Sequence, residues 1–238
     1  MTQRLDYYLI DSNMVPSRNI AQQLIKTGKI SVNAKVITKP AFQVDETMLV
    51  TRVDEHIYVG RAALKLKAFL EEHPFDIKGK DALDVGSSTG GFTEILLEND
   101  VASVICVDVG KDQLHERIRS DQRVTSKEEQ DIRTFDSKAF ELLTCDVSFI
   151  SLHNILESLN RLSSADLIIL FKPQFEVGNE VKRNRAGVVQ DDKAVALSLQ
   201  RFEDATTLLG WTLIMKAPSL IEGKEGNREY FYHFRKNN

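Results

Sequence analysis

Cysteine is scarce: only Cys106 and Cys145 occur in 238 residues, with no Cys-x-x-Cys or Cys/His spacing around them. That excludes a disulfide-stapled scaffold and leaves no basis for a structural metal site. Both cysteines lie in apolar, strand-like runs and read as reduced, buried thiols of a cytoplasmic protein. Long apolar runs are missing as well. Stretches such as 104–107 and 167–171 fall far short of the roughly 20 residues needed to cross a bilayer. The opening MTQRLDYY has no basic lead followed by an apolar core, so no secretory signal is expected. Glycine and proline together number only 17, too few for a fibrous or low-complexity chain.

What is present is the composition of a globular protein, 42% apolar and 28% charged, with a net charge of −4 that by itself suggests no polyanionic partner. Its distribution does. Residues 12–44 contain no Asp or Glu, whereas Arg18, Lys26, Lys29, Lys35 and Lys39 give the segment a local charge of +5. A basic patch on an acidic protein points to a nucleic-acid partner.

Two sequence textures meet near residue 60. Helical apolar spacing over 4–11 and 17–27, with Ser17 as N-cap and Gly28 as terminator, predicts two short helices. Residues 30–32, 35–37 and 48–50 follow as strands, with Asn33-Ala34 at a turn. These form a small α+β domain over 1–53 that is near the lower size limit for independent folding, and 54–60 would be the linker. From 61 to 238 strands and helices alternate. Helices are predicted at 61–72, 91–98 and 192–209, with another after Ser151. Strands are predicted at 81–85, 103–107, 143–147, 167–171, 211–217 and 229–234, and one more near Gln130-Asp131. Near-continuous apolar strands of this kind predict an α/β domain, a mostly parallel, seven-stranded Rossmann-like sheet covered by helices on both faces.

The first strand of that domain runs into Asp84-Val85-Gly86-Ser87-Ser88-Thr89-Gly90-Gly91-Phe92. A glycine-rich turn between a strand and a helix lets a ligand approach the backbone closely. The spacing matches neither a dinucleotide fingerprint nor a P-loop. Asp108 ends the second strand, where a carboxylate can accept both hydroxyls of a ribose. A loop of this type with a strand-terminal acid and no phosphate-binding residues resembles the S-adenosylmethionine site of class I methyltransferases. Gly86, Ser87, Ser88, Gly90, Gly91, Phe92, Asp108, Asp131 and Asp146 are the candidate cofactor contacts. A dehydrogenase on the same fold is the rival reading.

Four ionisable residues stand at positions that a parallel sheet brings to one edge. Lys65 lies on the helix before the first strand, Asp146 in Cys145-Asp146-Val147-Ser148, Lys172 after Leu170-Phe171, and Glu229 at the opening of the last strand. In this order they resemble the Lys-Asp-Lys-Glu tetrad of FtsJ-type ribose 2′-O-methyltransferases. The N-terminal segment, from Arg4-Leu5-Asp6 through Pro16-Ser17-Arg18-Asn19 to Ser31-Val32-Asn33-Ala34-Lys35, resembles the RNA-binding domain named after ribosomal protein S-four. Over essentially the whole chain the two parts resemble the TlyA family, whose members were once called haemolysins.

The resemblance implies S-adenosylmethionine-dependent 2′-O-methylation of cytidine in ribosomal RNA, presented in a ribosomal subunit. Lys65, Asp146, Lys172 and Glu229 would be catalytic, with Lys172 as general base. Arg4, Arg18, Lys26, Lys29, Lys35 and Arg61 would face RNA, and no metal would be required. The chemistry is coherent, because the sulfonium methyl is already electrophilic. What remains is alignment and removal of a proton from a weakly acidic hydroxyl. A lysine can serve as base where desolvation and nearby positive charge favour its neutral form. Asp146 would orient Lys172, and Lys65 and Glu229 would position the ribose. The loop 173–188, with Lys182, Arg183 and Arg185, reads either as a flap over RNA or as a surface insertion without function. Rival readings are a small-molecule methyltransferase, a noncatalytic ribosome-binding factor and a membrane-active haemolysin.

Overall fold

The computed structural model describes residues 2–33, 35–52, 58–178, 180–223 and 225–236, and the chain divides into two compact units, Met1–Ile57 and Tyr58–Asn238. The first contains β1 (Gln3–Arg4), α1 (Leu5–Asp11), α2 (Arg18–Lys26), β2 (Ile30–Val32), β3 (Lys35–Val36), β4 (Gln43–Val44) and β5 (Val50–Arg52). The Ser17 side chain accepts the Ile20 N–H at the start of α2, and Gly28, at φ 74°, follows its end. Leu5, Leu9, Ala21, Ile25, Ile30, Val32 and Val44 close a small core.

Two details of this unit differ from the sequence reading. The expected strand at 48–50 begins at Val50 and runs on to Arg52, antiparallel to β2. The β1–β4 ladder was not expected; a two-residue strand offers no alternation to read. Ala34 of the expected turn and residues 54–57 of the expected linker lie outside the described residues, and Tyr58, Val59 and Gly60 fall in the second unit.

That unit runs α3 (Arg61–Glu72), β6 (Asp81–Val85), α4 (Gly91–Glu98), β7 (Ser103–Val107), α5 (Glu116–Arg119), β8 (Val124–Lys127) and β9 (Phe140–Cys145). A 3₁₀ turn (Leu152–Asn154), α6 (Leu156–Leu162), β10 (Ser163–Phe171), α7 (Pro173–Glu176), α8 (Asp192–Leu208), β11 (Trp211–Pro218) and β12 (Tyr230–Lys236) complete it. Seven strands form one sheet in the order β11-β12-β10-β9-β6-β7-β8. Only β12 runs against its neighbours. The strands read as unbroken apolar runs because successive residues feed two cores. Leu83, Val85, Leu167, Ile169 and Phe171 pack on one face with Leu159 of α6 and Phe202 of α8. Ala82, Ile168 and Leu170 pack on the other with Leu66 of α3 and Ile95 of α4.

The strand expected near Gln130-Asp131 lies at 124–127 instead. As an edge strand it is polar at three of its four positions, Val-Thr-Ser-Lys, so it lacks the apolar run that marks its neighbours. The strand expected at 143–147 ends at Cys145, which leaves Asp146 just beyond the sheet. Similarly, Glu229 immediately precedes β12.

The chain leaves β6 toward β7 and β8, then returns to place β9 on the other side of β6. A crevice opens outside the carboxyl ends of strands at such a reversal, and β6 and β9 therefore fix where a ligand site can form. At the opposite end of the sheet, buried Asp166 accepts from Lys80 Nζ (2.7 Å) and from Arg235 (3.0 Å), and lies 2.8 Å from His233 Nε2. Burial would raise its carboxyl, but the bonds from His233, Lys80 and Arg235 outweigh that and hold it well below the ordinary 3.8. The folded state thus binds this proton more weakly than the unfolded state. The stabilisation is complete above about pH 4 and is lost as the solution is acidified below it. Asp166→Asn is expected to lower the unfolding temperature at pH 7 by on the order of 5 °C. The difference from wild type should shrink below pH 4 in thermal melts; a constant gap would disprove the linkage.

Candidate active site

Gly86 follows β6 with φ 77°, and a Cβ there would lie 2.9 Å from the Asp146 carbonyl oxygen. The two strand ends at the reversal therefore meet backbone to backbone, which only glycine permits. Beneath them Asp84 is fully buried and accepts from Thr93 Oγ1 (2.6 Å) at the start of α4 and from Thr144 Oγ1 (2.8 Å) on β9. Burial, opposed by these bonds, pushes its carboxyl up to about 6. Asp84 ties three elements together beneath the glycine-rich loop.

Two cavities flank this point. The smaller, about 500 Å³, is lined by Val107, Asp108, Val109, Asp131, Ile132 and Asp146 among others. Asp108 accepts from the Ser88 N–H (2.8 Å) and the Gly110 N–H (2.7 Å), one on each oxygen. A carboxylate has about four lone-pair directions, so its orientation is set while acceptor capacity remains. Asp131 forms a two-pronged pair with Arg133, which donates from Nε to Oδ1 and from Nη2 to Oδ2. Gly90 lines neither cavity. It opens α4 in a left-handed conformation, close under Leu114 and Ile118. Phe92 and Gly91 border the larger cavity, although Phe92 is mostly core and faces Phe231.

The larger cavity, about 710 Å³, is lined by Lys65, Asp146, Lys172 and Glu229 together with Gly86, Ser87 and Ser88. The four ionisable residues form two pairs. Lys65 Nζ lies 2.6 Å from Glu229 Oε2, with side chains 8% and 3% exposed. Lys172 Nζ lies 2.6 Å from Asp146 Oδ1 and donates to Ser148 Oγ at 2.9 Å. The sheet explains the convergence. Phe171 is in register with Tyr230, so the residue after β10 and the residue before antiparallel β12 arrive side by side. Lys65 reaches them because α3 packs closely on α4; a Cβ on Gly91 would lie 2.8 Å from the Ala63 backbone nitrogen.

Several lining residues were not singled out from the sequence. Gln174 donates from Nε2 to Glu229 Oε1 (3.2 Å), and Ser148 is the second partner of Lys172. Phe149, 93% exposed at φ 66°, borders both cavities. The only signal for them is proximity in sequence to Asp146 and Lys172. Cys106 and Cys145 are free and buried, and burial pushes the Cys106 thiol up to about 12. Among the described residues no group of three His, Cys, Asp or Glu is placed to hold a metal.

The residues expected to face RNA are divided between the two units. Arg61 is exposed on the rim of the larger cavity, and the other five belong to the first unit. There, Arg4 and Arg18 are tied to buried Asp6: Arg4 bonds both carboxylate oxygens at 2.9 Å, and Arg18 donates to one at 3.1 Å. Arg18 also stacks over the Tyr7 ring, 4.5 Å from its centroid. Lys26 and Lys35 are exposed, and Lys29 is partly covered.

Residues 58–236 match the family of FtsJ-like methyltransferases, and residues 3–50 match the S4 domain. Along 98% of its length the chain is 45% identical to the whole of a 23S rRNA (cytidine-2′-O)-methyltransferase TlyA from Campylobacter jejuni. The chain belongs to the TlyA family of FtsJ-like methyltransferases. A TlyA relative from Mycobacterium tuberculosis, named a 16S/23S rRNA (cytidine-2′-O)-methyltransferase, is 37% identical over 98% of this chain and 89% of its own. A solved structure from Streptococcus thermophilus, described as a hemolysin, superposes with a TM-score of 0.73 at 30% identity, covering all of this chain and 89% of that one. Proteins similar to this chain thus carry two kinds of name. In this member no helix among the described residues is long and apolar enough to cross a membrane.

Proposed function

We propose that this chain transfers the methyl group of S-adenosylmethionine to the ribose 2′-hydroxyl of a cytidine in ribosomal RNA, acting in the cytoplasm on a ribosomal subunit. The observation that carries the reading is the meeting of two Lys–carboxylate pairs, one buried and one largely so, with the glycine-rich loop in one cavity. The names of the relatives supply the nucleotide and the position methylated.

The smaller cavity has the chemistry that S-adenosylmethionine requires. Gly86 allows close backbone approach, Asp108 offers oriented acceptors for ribose hydroxyls, and Val109 and Ile132 provide apolar surface for a base. When bound, the cofactor supplies an electrophilic methyl group, and the protein's remaining work is done by its own side chains. Lys172 takes the proton from the 2′-hydroxyl. Asp146 and Ser148 hold its Nζ in place. Lys65, paired with Glu229, supplies positive charge where the alkoxide develops, and Glu229 fixes Lys65 and orients the ribose.

The test is to map 2′-O-methyl groups in rRNA from cells with the wild-type gene, with no gene, and with a Lys172→Arg gene. Cytidine 2′-O-methyl marks should be present only in the first. Unchanged maps in all three would refute the reading.

RNA capture is assigned to the first unit, and Lys26 and Lys35 are its testable members, because changing Arg4 or Arg18 would also remove a partner of buried Asp6. Replacing both lysines with Ala should weaken subunit binding. It should also flatten the dependence of log affinity on log salt by roughly one for each phosphate that is no longer neutralised. A variant with wild-type affinity and slope would place the RNA-binding surface elsewhere.

A further inference from the structure

Lys172 and Asp146 come from different strands, and the segments that follow them are joined a second time, away from the cavities. Glu176, the last residue of α7, accepts from Ser151 Oγ (2.6 Å) on one oxygen and from the Leu152 N–H (2.8 Å) on the other. Lys172 is the residue before α7; Asp146, Ser148 and Ser151 follow β9. Segment 146–152 is thus bound to segment 172–176 at both ends: by Lys172 to Asp146 and Ser148 at one, and by Glu176 at the other. Between the two, the rings of Phe149 and Phe175 lie 5.3 Å apart.

The second connection has a cost and therefore calls for a reason. Glu176 is largely shielded from water, and burial raises its carboxyl despite the bonds from Leu152 and Ser151. Ser151 already caps the 3₁₀ turn by accepting the His153 N–H at 3.2 Å, so the turn does not depend on Glu176 for a start. What Glu176 adds is the link to α7. That helix is a single turn with proline in its first position, too short to hold its direction by its own hydrogen bonds. Its direction decides where the chain leaves Lys172. Gln174 anchors one side of α7 to Glu229 and Glu176 anchors the other to Ser151 and Leu152.

We propose that Glu176 is a positioning residue for methyl transfer, which by binding α7 to the segment after β9 fixes Lys172 Nζ against Asp146 and Ser148. Glu176 lines neither cavity and acts through Lys172, so the proposal rests on the assignment of Lys172 to the reaction.

The experiment uses the full chain, S-adenosylmethionine, and ribosomal subunits from cells lacking the enzyme. Single-turnover rates are expressed per cofactor-binding site counted by calorimetry, so that loss of folded protein does not register as loss of rate. Glu176→Ala should be slower by about 10- to 100-fold, the range expected for a misplaced reacting group, with cofactor affinity and half-saturating subunit concentration unchanged. Glu176→Gln should restore most of the rate, since its amide can still accept from Leu152 N–H and donate to Ser151 Oγ. A Glu176→Ala rate within twofold of wild type, or equal losses in the Ala and Gln variants, would overturn the proposal. If Glu176→Ala does not bind cofactor at all, Glu176→Asp, whose side chain is one methylene too short to keep both bonds, gives the answer. A several-fold slower rate supports the link and a normal one refutes it. Lys172→Arg measured alongside separates the two levels. If it stays active, the reading of Lys172 fails and takes the proposal with it; if it is inactive while Glu176→Ala is not, the proposal alone fails.

Discussion

Replacing Lys172 with arginine should reduce single-turnover methylation by about 10²- to 10⁴-fold, the usual loss when general-base assistance is removed. The substitution keeps the positive charge next to Asp146 but replaces the amine assigned to accept the 2′-hydroxyl proton, because guanidinium stays protonated. It therefore separates proton transfer from electrostatics. Cofactor affinity should change little, since Lys172 borders the larger cavity and not the one holding Asp108. The decisive measurement is methyl transfer under single-turnover conditions across pH 6–9. An arginine variant with near-normal rate would show that Lys172 contributes only charge or position, and would leave the 2′-hydroxyl without an assigned base.

Glu229→Ala should produce the largest loss of stability. It leaves the Lys65 ammonium in a site where its side chain is 8% exposed, and an uncompensated buried charge typically costs about 3–5 kcal/mol. In a unit of this size that corresponds to a fall in unfolding temperature on the order of 10 °C. Gln174 loses its acceptor at the same time. The double variant Lys65→Met, Glu229→Met removes both charges and should recover much of the lost stability, because hydrophobic replacement of a buried pair is often neutral or better. Activity should not recover with it. Melting curves and methyl-transfer rates on the three proteins would check both halves. A Glu229→Ala protein that melts like wild type would show that the pair carries no structural weight, and an active double variant would remove it from the chemistry.

The sequence made the strand ends visible because each is an apolar run stopped by a charge. Lys172 after Leu170-Phe171 and Asp146 after Cys145 are of that kind, and the structure sets them on one cavity. Ser148, Gln174 and Glu176 were not readable in the same way. Their partners depend on how short irregular segments turn, as at Phe149 with its positive φ, and no period in the sequence encodes that. The polar edge strand β8 was misplaced because its composition is that of a loop. Arg18 was read as open charge for a related reason: the acid-free window begins at residue 12, past Asp6 and Asp11, and only the folded helix pair shows that the Asp6 carboxylate takes Arg18 together with Arg4.

The placement of β12 has a consequence for when the enzyme comes into being. Lys65 and Glu229 are separated by 164 positions in the chain, and β12 must settle between β10 and β11 before the two side chains can meet. A chain emerging from the ribosome amino end first can assemble the glycine-rich loop, Asp108, Asp146 and Lys172 well before the last strand appears. It cannot complete the second ion pair until the 164 positions that separate Lys65 from Glu229 have been added. An unfinished copy is therefore able to display the glycine-rich loop and the smaller cavity but not the finished larger one.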